Sequence, residues 1–111
     1  MKRDEVYLRH MLDAIDRITG YVAGMPFGEF EFDLMAQDAV IRQRGIIGEA
    51  ARRVSRSLQE DSPEIPWADI VEMRNILIHD YFEVDLGEAR KTVQDDLSAL
   101  KDQVLQILPI Q

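Results

Sequence analysis

Apolar side chains recur at steps of three and four residues along nearly the whole chain, and this spacing constrains the fold more than any other feature. Leu8, Met11, Leu12, Ile15, Ile18, Thr19 and Val22 draw one face of a first helix. Gly24-Met25-Pro26 should end it, because Gly frees the backbone and Pro cannot continue the hydrogen-bond ladder. Phe27, Phe30 and Phe32 follow in a short loop and are expected to plug the core beneath the connection.

Asp33 is placed to cap a second, long helix running to about Leu58. Its stripe reads Ala36, Ala39/Val40, Ile46/Ile47, Ala50, Val54 and Leu58, interrupted by Gln43. Gly45 and Gly48 weaken a helix interior, which makes sense where another helix crosses closely, within one subunit or between two. Residues Gln59 to Pro66 form the clearest loop. A third helix is expected from about Pro66 through His79. A last one opens at Asp85 with Glu88 three residues on, as in a capping box, and stops at Pro109. Its stripe is Leu86, Val93, Leu97, Leu100, Val104 and Ile107/Leu108. With no sustained alternating pattern and no repeat, the expectation is a single domain over residues 1–111, an all-α four-helix bundle with short connections.

Composition narrows the chemistry. A hydrophobic fraction of 46% supports a core, and the absence of cysteine excludes disulfide frameworks, Cys-zinc sites and thiol nucleophiles. The charged start and the lack of a long apolar run predict a soluble, cytoplasmic protein with no membrane contact. There is no phosphate-binding glycine loop and no His-Glu-x-x-His, so neither a metal nor a cofactor is expected. The 13 Lys+Arg against 21 Asp+Glu give a charge of −8, which speaks against coating nucleic acid through bulk charge. That charge is uneven. Between Val40 and Leu58, Arg42, Arg44, Arg52, Arg53 and Arg56 face one acid, Glu49. Arg42, Arg52, Arg53 and Arg56 are candidate contacts for phosphates, with a solvated face paired to neighbouring acids as the rival reading.

One cluster gathers a fixed cation, an amide, an imidazole and a phenol: Arg74, Asn75, His79 and Tyr81. These are the groups that metal-free RNA cleavage uses. An imidazole titrating near neutrality moves the proton of a 2′-hydroxyl or of the leaving oxygen, and a guanidinium holds the phosphate as charge builds. On a regular helix Arg74 and His79 diverge by about 140°. Either the helix tightens or breaks between them, or Arg and His from two subunits meet in a symmetric dimer.

The segment from Trp67 to Asp85, with Arg-x-x-x-x-His-x-Tyr at Arg74, His79 and Tyr81 and the polar Asn75 after the Arg, resembles the signature of HepT-like HEPN toxins. Ile46-Ile47-Gly48-Glu49-Ala50-Ala51 is similar to that family's second helix. The resemblance implies a HEPN-type bundle acting as a homodimer, a ribonuclease toxin of a toxin–antitoxin pair with its motif at the subunit interface. It implies catalytic roles for Arg74 and His79, with Asn75 assisting. It also implies a minimal nucleotidyltransferase antitoxin, in a dimeric or higher assembly, that transfers AMP to Tyr81. The alternative is a non-catalytic HEPN module that binds a nucleotidyltransferase.

Overall fold

The computed structural model describes residues 2–72 and 96–108. Within them the elements are α1 (Lys2–Val22), α2 (Phe27–Phe30), α3 (Leu34–Arg53), α4 (Arg56–Asp61), a helical segment over residues 67–72, and α5 (Leu97–Ile107). The described residues contain no strand, so the all-α expectation holds.

The first helix follows its sequence closely. Leu8, Met11, Ile15, Ile18 and Val22 are buried, with Leu12 half-buried beside them. Thr19 turns outward, and its hydroxyl donates to the Ile15 carbonyl one turn back. Past the end of α1 the Met25 N–H bonds the Val22 carbonyl while Gly24 takes φ +72°, a conformation costly for any residue with a Cβ. Pro26 then offers its carbonyl to the N–H groups of Glu29 and Phe30, which makes α2 a single turn. Phe30 is buried, but Phe32 is 83% exposed. Phe32 is therefore not a core plug. It stands with Leu34 and Met35, both also exposed, on the corner leading into α3. The Gln37 amide ties that corner down by donating to the carbonyls of Phe30 and Glu31.

Asp33 caps α3 as its sequence indicates, accepting from the Ala36 N–H at 2.9 Å. The helix stops earlier than the apolar stripe suggests. Val54 becomes extended, Ser55 caps α4 by accepting from the Leu58 N–H, and the Gln59 amide donates to the Ala51 and Val54 carbonyls exposed by the break. Behind the break lies Asp4 of α1, which is 3% exposed. It accepts from the Ser55 N–H at 2.8 Å and the Ser55 hydroxyl at 2.6 Å. A carboxylate at the start of one helix thus holds the kink after another. As a consequence Gln59 to Asp61 are helical, and the loop shrinks to Ser62–Pro66.

The Trp67 indole N–H donates to the Ser62 carbonyl beneath that loop, and Pro66 accepts from the Ile70 N–H, so Pro66 flanks the next helix. On α5, Leu97, Leu100 and Val104 are buried, and they join α1, α3, Ile65, Trp67 and Ile70 in one core. Lys101 bridges back to Asp16 at 2.8 Å on the exposed side. The most extensive packing joins α1 and α3, which run antiparallel: Asp4 meets Ser55, while His10 to Arg17 lie against Arg42 to Ile46. A Cβ added at Gly45 would meet nothing within 4 Å among the described residues, so no close crossing by a described helix explains that glycine.

Candidate functional site

Arg74, Asn75, His79 and Tyr81 lie outside the described residues, as do Asp85, Glu88, Leu86 and Val93 of the expected last-helix start. The described structure does reach the approach to the motif. Residues 67–72 are helical, anchored by buried Trp67 and Ile70.

The arginine strip is fully described, and its members differ in circumstance. Glu49 lies one turn before both Arg52 and Arg53 and binds the two together. Arg52 engages it with Nε and Nη2, the shorter bond being 2.7 Å, and Arg53 engages it with Nε at 2.9 Å. This shared carboxylate is the first cause that raises both guanidinium pKa values above the ordinary one. The Tyr7 phenol adds to the effect at Arg53. Both arginines sit in the last turn of α3, where cations also suit the helix dipole. Arg56 stands on α4, almost wholly exposed, with a loose pair to Glu60 at 3.6 Å. Arg44, from the same run, is buried at 4% exposure and belongs to the interior. The net positive charge that the sequence places on one strip is therefore divided among a buried residue, a shared ion pair, an outlying loose pair and Arg42.

Arg42 faces a cleft between α1 and α3 together with His10, Asp13, Ala14, Arg17, Gln43 and Ile46, a space of about 310 Å³. Arg17 and Arg42 are both exposed and make no ion pair among the described residues. His10 packs edge-on against Tyr7 with ring centroids 6.2 Å apart. The cleft residues His10, Asp13, Arg17 and Gln43 were not legible as a site in sequence. The signal they offered was Gln43 itself, a polar residue interrupting an apolar stripe.

With this geometry in place, comparison with known proteins decides the family. A family model described as ribonuclease HepT-like matches residues 11–107. The chain belongs to the HepT-like ribonuclease family. It is a HEPN domain of the HepT-like type. Among its relatives is a Thermococcus cleftensis protein named as a probable ribonuclease HepT, 40% identical across 91% of this chain and 93% of that one. A Caldanaerobacter subterraneus subsp. tengcongensis protein named as a candidate RNase is 33% identical across 97% of this chain and 96% of its own length. A Methanocaldococcus jannaschii protein named as a gamma-glutamylcyclotransferase and candidate RNase is 39% identical across 97% of this chain, which spans 49% of that longer protein. No solved structure matches. Among the described residues no helix is long and apolar enough to cross a membrane.

Proposed function

We propose that this HepT-like chain is the toxin ribonuclease of a toxin–antitoxin module, cutting RNA without a metal in the cytoplasm. The observation that carries the reading is the Arg74, Asn75, His79, Tyr81 series inside the stretch matched by the ribonuclease family model. His79 takes the proton of a ribose 2′-hydroxyl, whose oxygen attacks the adjacent phosphorus. Arg74 holds the anionic phosphorane, and the 5′-oxygen leaves with a proton supplied by a second acid. The products are a 2′,3′-cyclic phosphate and a 5′-hydroxyl, so no water is consumed in the cut. Asn75, four residues before His79 in sequence, positions the phosphate or the imidazole. Two subunits bring two Arg/His sets to a shared cleft.

The antitoxin is a minimal nucleotidyltransferase that transfers AMP from ATP to the Tyr81 oxygen with release of pyrophosphate. A bulky anion two residues from His79 then occupies the position the RNA phosphate needs. The experiment is cleavage of a defined RNA by purified protein in excess EDTA, with the ends identified by mass spectrometry. Cyclic phosphate ends at an undiminished rate are expected, whereas loss of activity on chelation would overturn the mechanism. After incubation with ATP and a minimal nucleotidyltransferase of the proposed pair, the intact mass should rise by one adenylyl group on Tyr81, and cleavage should cease. An unmodified Tyr81 in fully inhibited protein would overturn that part.

Arg42, Arg52, Arg53 and Arg56 provide the approach for RNA phosphates. Because Glu49 already neutralises part of Arg52 and Arg53, a phosphate must compete with it. Arg52→Glu is expected to weaken RNA binding and to lower the slope of log K against log salt by about 0.7, the value for one single-strand phosphate contact. An unchanged slope removes Arg52 from the RNA path.

A further inference from the structure

Three features of the cleft between α1 and α3 point to a ligand. Gln43 is 6% exposed, lines the cleft, and its carboxamide has no hydrogen-bond partner among the described residues. Its amide atoms are not sealed in the core but open onto the cleft, where they can meet a polar group of a ligand. Arg17 and Arg42 come from different helices yet face the same space, and neither is neutralised by an ion pair among the described residues, unlike Arg9, Arg52, Arg53 and Arg56. The wall between them is apolar, made by Ala14 and half-buried Ile46. A volume of about 310 Å³ lies at the small end of the range for ligand pockets, roughly 300–1,000 Å³.

We infer that this cleft is a subsite for one nucleotide of the RNA strand. Its phosphate lies on Arg17 and Arg42, and its base lies against Ile46 with a polar edge on the Gln43 carboxamide. The assignment rests on the ribonuclease reading and extends it to residues outside the motif. Paired guanidiniums from two elements suit a phosphate because each offers a planar fork of donors. A carboxamide offers a donor beside an acceptor, the pairing that glutamine makes with the N6 and N7 edge of adenine. Asp13 is the one carboxylate in the cleft and would repel a phosphate placed beside it. It serves instead as the acceptor for a ribose 2′-hydroxyl, the group that separates RNA from DNA. His10, held edge-on to Tyr7, lines the same cleft.

The test has two arms. In the first, AMP, CMP, GMP, UMP and dAMP are titrated into the full-length protein while the side-chain amide of Gln43 and the Nε–H groups of Arg17 and Arg42 are followed by NMR. AMP should shift these signals with the highest affinity of the five. The Arg17→Glu/Arg42→Glu variant should bind AMP about ten-fold or more weakly, since two charge-assisted contacts are lost. Gln43→Met, with Gln43→Glu as a second variant should the first fail to fold, should erase the preference among bases. Asp13→Asn should bring AMP and dAMP closer together. In the second arm, the double arginine variant should raise KM for RNA about ten-fold with kcat unchanged, the pattern of a lost binding contact remote from the reacting atoms. Cleft signals unmoved by every nucleotide, or a KM unchanged in the double variant, would overturn the subsite. A wild-type protein that cleaves no RNA would instead overturn the ribonuclease reading, and the mononucleotide arm would still decide what the cleft binds.

Discussion

His79→Ala and Arg74→Ala are each expected to lower RNA cleavage by about 100-fold or more, with circular dichroism, unfolding temperature and subunit assembly preserved. The size follows from the roles assigned. A positioned general acid or base contributes roughly 10²–10⁴ in rate, and one stabilising contact to a developing anion contributes roughly 10²–10³. His79→Ala should also remove the limb of the pH profile that a group titrating near neutrality produces, while Arg74→Ala should lower the whole profile without moving it. A variant that still cuts at the wild-type rate overturns the corresponding assignment. The two single variants also decide how Arg and His meet. On one regular helix they point about 140° apart. If the site takes Arg74 from one subunit and His79 from the other, co-expressed Arg74→Ala and His79→Ala chains form mixed dimers with one intact site. About a quarter of the wild-type activity should then return under random pairing. If both act from the same subunit, across a break in the helix, mixing restores nothing.

How far the fold could be read in sequence depended on the range of the interactions that shape it. The first helix is local throughout: a 3.6-residue apolar period, a glycine at positive φ, and a proline two residues later. Asp33 was legible for the same reason, since a cap bonds its own neighbours. The break at Val54 was not. Val54 and Leu58 continue the apolar stripe in register, and the group that stabilises the break is Asp4, 51 residues away in a charged segment. Phe32 misled in the opposite direction. An aromatic ring in a short loop is as compatible with an exposed corner as with the core, and periodicity cannot separate the two within a single turn.

The candidate site divides in the same way. The Arg74 to Tyr81 motif is legible because its chemistry is compressed into eight consecutive residues. The arginine strip was legible as composition but not as electrostatics. Sequence places Glu49 within reach of several arginines. The structure shows that it binds Arg52 and Arg53 together, that Arg44 turns inward, and that Arg42 joins a cleft with Arg17 from another helix. Gln43 carries the general point. A polar residue on an otherwise apolar stripe either satisfies its hydrogen bonds inside the core or faces something outside it, and coordinates are needed to tell which.

Asp4→Ala is expected to destabilise the fold by about 2–4 kcal/mol. Asp4 is nearly fully buried and accepts two hydrogen bonds from Ser55. Bonds to a charged acceptor are worth about 1.5–3 kcal/mol each, and removing the acceptor leaves the half-buried Ser55 N–H without its partner. For a chain of this size the loss corresponds to roughly 10 °C in Tm at fixed protein concentration. Part of the cost is transmitted. Without Asp4 the Ser55 hydroxyl loses the partner that orients it, so its cap on the Leu58 N–H weakens. Ser55→Ala alone should therefore cost about 1–2 kcal/mol, the upper range for loss of an N-cap. The double variant should cost clearly less than the sum, with a coupling of about 1 kcal/mol or more. Asp4→Asn keeps an acceptor of nearly the same shape but loses the charge, and should fall between wild type and Asp4→Ala. Strict additivity of Asp4→Ala and Ser55→Ala would show that the two do not act as one unit. The turn from α3 into α4 would then have to be held by the Gln59 amide and apolar packing alone.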